Sequence, residues 1–165
     1  MLTREQFLPH EMRIVAALRM QGASDEQVIV RVKSENLFQY PTERMVANRA
    51  TVCLRRLDAM VPTDAVCAAR GIDPKTAVEA ASSLTRLMAS GTPTQADQAI
   101  FYSMICRYDI VRELVLDEVG ERLQNFDYAF TAVDLNAFMT RFTTEYPDAA
   151  RWTEATVKRI KGSLR

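Results

Sequence analysis

Apolar residues recur along this chain at spacings of three and four, and the pattern stops where Gly or Pro intervenes, which predicts helices throughout. A first helix spans about Arg4 to Met20 and ends at Gly22, with Pro9 the one point at which it can be interrupted. Ser24 to Gln27 has the form of a capping box and opens a second helix, with Val28, Ile29 and Val32 as its apolar side. Residues 36–41 read as a loop, because Tyr40 precedes Pro41 and is biased away from helix. Thr42 is the expected N-cap of a third helix that reaches about Met60 and is stopped by Pro62. A short helix follows over 64–69, and the Asp73–Pro74 pair opens another that closes at Gly91. Thr94 to Asp97 opens the longest predicted element, which reaches Gly120 or Leu123. Its stripe of Ile100, Phe101, Met104, Ile105, Tyr108, Val111, Leu114, Val115 and Val119 is broad enough to predict the central helix of the core. A connector over 124–131, a helix from Asp134 to Glu145 and a last helix capped by Thr153 and running to Arg165 complete the reading.

No stretch alternates with strand period. The expected fold class is therefore all-α, a compact helical bundle of about seven or eight helices. Residues 1–62 have the outline of a three-helix, helix-turn-helix-like unit, although the loop before the third helix is longer than the usual tight turn. The same outline is the simplest way to close any small helical core. Residues 63–165 form a C-terminal bundle packed against it, as a second small domain or as part of one.

The third helix carries the most informative polar pattern. Numbered from Thr42 at about 100° per residue, Arg44, Asn48, Thr51 and Arg55 fall within one narrow arc. Arg49 and Arg56 form a second basic row at the edge of the apolar side, and Met45, Val46, Ala50, Cys53, Leu54 and Leu57 should face a core. Arg, Asn and Thr side chains donate to phosphates and base edges, so this face is a candidate nucleic-acid contact, as well as an ordinary solvated face.

Formal net charge is zero, so no global field attracts a polyanion. The distribution is uneven: residues 1–60 sum to +2, 61–150 to −6 and 151–165 to +4. Basic termini brought together by folding would make a positive surface fit for a phosphate backbone. In the last helix Val157, Ile160 and Leu164 point one way and Lys158, Lys161 and Arg165 the other, while Thr153 and Thr156 stand at its N-terminus, where hydroxyls and free amides accept a phosphate. A basic last turn also suits the helix dipole, and Trp152 suits a core.

The remaining chemistry is sparse. Cys53, Cys67 and Cys106 are far apart, and the lone His10 leaves no partner for a metal cluster or a nucleophile–base pair. Reduced, buried thiols in a cytoplasmic protein are the expectation. Asp109, Glu113, Asp117 and Glu121 recur every fourth residue, as a solvated face or a weak divalent-metal row. No Gly-rich phosphate loop, secretory signal or membrane-spanning run is present. The reading is a non-enzymatic protein without cofactor or metal.

Three segments carry a family resemblance. Asn36-Leu37-Phe38-Gln39, Thr42-Glu43-Arg44 and Cys53-Leu54-Arg55-Arg56-Leu57 resemble the N-terminal pattern of the BrxA proteins of bacterial BREX (bacteriophage exclusion) defence systems. Tyr102 to Tyr108, leading to Leu114 through Val119, resembles the family's central helix, and Trp152 to Ile160 its later Ser/Thr-rich basic motif. The resemblance covers about residue 10 to the end. It implies a small, non-enzymatic, all-helical component of a phage-defence locus, similar in fold to the NusB antitermination factor, that binds double-stranded DNA and works with other BREX proteins. The family pattern continues with a further helical segment where this chain stops at Arg165. On this reading Arg44, Asn48, Arg49, Arg55, Arg56, Lys158, Arg159 and Lys161 form the DNA-binding set. The alternatives are a protein–protein adaptor that docks through the acidic face from Asp109 to Glu121, and RNA binding by analogy with NusB.

Overall fold

The computed structural model describes residues 7–164. Every regular element among them is helical, as the spacing predicts. They divide into two compact units, Phe7–Arg107 and 108–164.

The larger unit contains α1 (Pro9–Met20), α2 (Asp25–Ser34), α3 (Glu43–Ala59), α4 (Asp64–Arg70), α5 (Pro74–Ser90) and α6 (Pro93–Arg107). The expected start at Arg4 lies outside the described residues. Pro9 does not interrupt α1 but begins it, since Pro at the first helical position needs no hydrogen-bond donor. The Ser24 hydroxyl accepts from the Gln27 amide at 3.3 Å, and the Gln27 side chain accepts from the Ser24 amide at 2.9 Å. This is the capping box that the sequence announces. Asp73 accepts from the Thr76 amide at 2.9 Å, and those hydrogen bonds hold its carboxyl below the usual range. The α6 cap is Thr92 rather than Thr94: Gln95 and Thr92 exchange bonds of 3.0 and 3.3 Å, with Pro93 as the first helical residue. Between α5 and α6 stands Gly91, where a Cβ would lie 2.5 Å from the Leu87 carbonyl oxygen. The turn admits no side chain there, and Arg13 donates to the Gly91 carbonyl at 3.3 Å.

Helix α1 packs against α2, α3, α5 and α6. Its Met12, Val15 and Ala16 meet Val28, Val32, Val46, Ala50, Cys53, Met88 and Ile100 in one cluster, all at most 1% exposed. Burying a Met, Val or Ile fully is worth roughly 1.5–3 kcal/mol, so α1 holds the centre that the sequence assigns to the long Thr94–Leu123 helix.

That long helix is in fact broken. Tyr108, only 5% exposed, takes extended backbone (φ −120°, ψ 112°). Apolar periodicity runs through the break because it records side-chain character, not the backbone ladder. Cys106, Tyr108, Ile110 and Val111 are all mediocre helix formers. Phe101, expected in the core, is 42% exposed.

The smaller unit contains α7 (Asp109–Glu113), a π-helical segment (Leu114–Val119), α8 (Gly120–Gln124), α9 (Ala132–Glu145), a 3-10 turn (Ala149–Arg151) and α10 (Glu154–Ser163). Thr131 and Asp134 form a second capping box, so α9 starts two residues earlier than expected. Phe142 stacks on Tyr146 at 4.3 Å and on Trp152 at 5.9 Å, which seats Trp152 against α9. Leu135, Phe138, Met139 and Phe142 are buried together with Ala149 and Ile160. Among the described residues no helix is long and apolar enough to cross a membrane.

Candidate nucleic-acid interface

The start of α3 is fixed by its preceding loop. Phe38 is 5% exposed and meets Tyr40 edge-to-face, 6.4 Å between centroids. Asn36 donates to the Tyr40 carbonyl at 3.1 Å. The Tyr40 hydroxyl donates to the Glu11 carboxylate of α1, a bond that raises the Tyr40 pKa, with burial and the Glu11 charge adding to it and Arg49 opposing it. Thr42 then caps α3 by accepting from the Met45 amide at 3.3 Å.

The inner face of α3 carries Val46, Ala50, Cys53, Leu54 and Leu57, as expected. Two residues differ. Met45 sits on the first turn at the edge of the buried arc and is 40% exposed. Arg56 is completely buried, and its guanidinium donates to the Phe7 carbonyl at 3.0 Å. Its place on the DNA-binding set is therefore corrected: it is an interior side chain on the same helical face as Cys53 and Met60. Arg49 is half-buried beside Tyr40 and Cys53 and close enough to act on both. Burial pushes the Cys53 thiol up to about 12, against the lowering pull of Arg56 and Arg49.

The outer face keeps Arg44, Asn48 and Arg55 exposed. Eleven residues at about 1.5 Å rise put Arg44 and Arg55 about 16 Å apart along the helix. Thr51, between them, is half-buried and donates its hydroxyl to the Ala47 carbonyl at 2.9 Å, so that donor is engaged within the helix.

In the smaller unit α10 leaves Lys158 and Arg159 exposed, while Ile160 is buried. Lys161 is half-buried and donates to the Asn136 side chain at 2.7 Å. The Thr153 hydroxyl caps the helix by accepting from the Thr156 amide at 3.3 Å, and the two hydroxyls lie 3.1 Å apart. Both groups proposed for a phosphate are thus already engaged with each other. The eight sequence-predicted residues accordingly resolve into exposed donors (Arg44, Asn48, Arg55, Lys158, Arg159), half-buried cations (Arg49, Lys161) and the buried Arg56.

The acidic row does not form one uniform face. Asp109 pairs with Arg112, and the half-buried Glu113 accepts from the Tyr146 hydroxyl. Burial, then the Asp117 charge, raise the Glu113 pKa. The π segment rewinds the helix, so four-residue spacing stops marking a single side. Asp117 and Glu121 remain exposed. Cys53 and Cys67 are buried and Cys106 half-buried, all as free thiols. Among the described residues no group of three His, Cys, Asp or Glu side chains is arranged to hold a metal ion.

Sequence reasoning missed the Glu11–Tyr40 bond and set Arg56 at the edge of the apolar side, where an internal acid could pair with it, rather than fully inside on the Phe7 carbonyl. A signal for both exists. Glu11 shares a helical face with Val15 and Leu18, and Arg56 shares one with Cys53 and Met60, so each is a charged residue at an apolar position.

A comparison with curated proteins finds no match to this chain, and neither does one with solved structures. The BrxA family model matches residues 1–165, the whole of the chain. Together with the three motifs and the all-helical fold, that match means that the chain belongs to the BrxA family of BREX phage-defence systems.

Proposed function

We propose that this chain is a non-enzymatic accessory protein that serves BREX defence by binding duplex DNA. Helix α3 is the main contact, in the manner of a helix-turn-helix recognition helix, and α10 adds a second phosphate contact. The observation that carries this reading is the exposed row of Arg44, Asn48 and Arg55 on a helix whose opposite face is locked into the core. Among the described residues the Arg44 and Arg55 side chains have no ion pair within the chain. By contrast Arg19, Arg31, Arg112, Arg122 and Arg141 are each paired with a carboxylate. A guanidinium without an internal partner is available to displace a counterion from a phosphate. Zero net charge and the small number of exposed cations in the candidate set fit modest, sequence-tolerant binding rather than a tight specific complex.

Replacing Arg44 and Arg55 by Glu tests the assignment. Both are exposed, so the helical circular dichroism should be unchanged, while affinity for a short duplex at low salt should fall by about tenfold or more. Unchanged affinity in the folded variant would remove α3 from the interface. Competition with duplex RNA of equal length separates DNA binding from the NusB-like alternative.

A further inference from the structure

The smaller unit exposes a concentrated set of large apolar side chains between residues 116 and 133. Leu116 is 57% exposed, Leu123 51%, Phe126 80%, Tyr128 74% and Val133 74%. Apolar residues scattered singly on a surface need no explanation, but six within eighteen residues, Phe130 at 36% being the sixth, exceed such scatter.

The loop that carries the aromatics is held firmly from behind. Arg122 donates to Asp127 Oδ2 at 2.7 Å and to the Ala129 carbonyl at 2.9 Å through one nitrogen, and to Asp134 Oδ1 at 2.7 Å through the other. Its guanidinium also lies 5.7 Å from the centre of the Phe130 ring. The second oxygen of Asp127 accepts from the Ala129 amide at 3.1 Å. Phe126 holds left-handed backbone, φ 58°, which a Phe rarely adopts. Phe126 and Tyr128 flank the tied Asp127, so two aromatic side chains stand in solvent on a loop already ordered. Such anchors lose little further entropy on binding. At the foot of the loop Phe130, Leu135 and Leu164 line an open cavity of about 310 Å³.

Charge selects the occupant. Residues 117–134 hold five carboxylates and one base, Arg122. Arg122 is engaged by Asp127 and Asp134, and Glu118 pairs with Arg141, which leaves Asp117 and Glu121 as exposed carboxylates in the segment that leads into the loop. Unpaired carboxylates in that segment disfavour a phosphate there, and they disfavour a second copy of the same segment. They favour Lys and Arg.

We propose that the 123–133 loop is a docking surface for a basic segment of another protein. A large apolar side chain of that segment enters the cavity beside Phe130, Phe126 and Tyr128 cover it, and Asp117 and Glu121 meet the flanking Lys or Arg. The 123–133 loop belongs to the smaller unit and α3 to the larger one, so the proposal goes beyond the DNA-binding reading of α3 and is tested without it.

The test uses fluorescent overlapping peptides tiled across the proteins encoded in the same defence locus, titrated against the full chain by anisotropy. The expected binders are basic peptides with a large apolar residue. Phe126→Asn with Tyr128→Ser should weaken them by about tenfold or more. Asn tolerates the left-handed backbone, and both positions are exposed, so thermal unfolding should be unaltered. Asp117→Lys with Glu121→Lys, a second variant that leaves the aromatics in place, should weaken the same peptides most at low salt. Duplex DNA binding should not be weakened by either pair, since one removes no cation and the other adds positive charge. The proposal fails if no tiled peptide binds, or if the binders ignore both pairs of substitutions. It also fails if the aromatic pair converts a wild-type dimer to a monomer in light scattering, since the occupant is then a second copy. Loss of DNA affinity in the aromatic variant would likewise overturn it in favour of a nucleic acid.

Discussion

Arg56 illustrates how one side chain decides between two jobs. A guanidinium with no exposed surface has left water, and it is tolerable only because carbonyls such as that of Phe7 accept its protons. Arg56→Ala should therefore destabilise the larger unit by about 2–4 kcal/mol, read as a lower urea midpoint. An unchanged midpoint would mean that the buried guanidinium contributes nothing net. Cys53 makes a second residue-level prediction. Its thiol ordinarily titrates near 9 and is pushed to about 12 by burial. Between those values the unfolded chain has released a proton that the folded chain retains, so stability is fully present below pH 9 and falls as pH rises towards 12. From pH 8 to pH 10 the native chain should lose about 1 kcal/mol more than a Cys53→Ala variant. Equal losses would show that the thiol is not held protonated by the fold. At this scale the sequence is legible where periodicity alone governs burial, as at Val46, Ala50 and Cys53. At Arg56 and Glu11 the sequence shows only a charged residue at an apolar position, and not the partner, Phe7 or Tyr40, that lies far along the chain.

Element boundaries are written locally, and most could be read. Ser24, Thr42, Asp73 and Thr153 each cap the helix that follows them, because the cap needs only a side-chain oxygen and an amide three residues on; Thr131 and Thr92 do the same for α9 and α6, where the expected starts are Asp134 and Thr94. The break at Tyr108 and the π segment that follows it could not, since both are settled by where Tyr108, Ile110 and Val111 find cores to enter. The 125–131 loop belongs to the same class. Its order depends on Arg122, which gathers Asp127, Ala129 and Asp134 from positions that no local pattern links. Arg122→Ala should raise hydrogen exchange at Ala129 and its neighbours by about tenfold or more, while α1 and α3 keep their protection. Equal protection in the variant would contradict the idea that one guanidinium fixes the loop.

At the scale of the whole molecule the two basic elements belong to different units, α3 to 7–107 and α10 to 108–164. The uneven charge visible in the sequence foretold both. It could not tell which basic residues would be spent inside the fold, and Arg56 and Lys161 are engaged there. Of the cations in the candidate set, Arg44, Arg55, Lys158 and Arg159 remain outside. On the proposed reading the exposed aromatic loop has the opposite preference, so a chain of zero net charge carries exposed donors on α3 and α10 and an acidic, apolar segment at residues 116–133. Membership of the BrxA family supplies the setting in phage defence, and the exposed side chains supply the chemistry proposed for it.

The measurement that bears most directly on this account is binding of the purified chain to a labelled duplex across a salt series. Four exposed cations that each neutralise a phosphate predict a log–log slope of about −3 to −4, reduced by about 2 in the Arg44→Glu, Arg55→Glu variant. No binding at low salt, or a slope near zero, would contradict the claim that these helices meet a phosphate backbone.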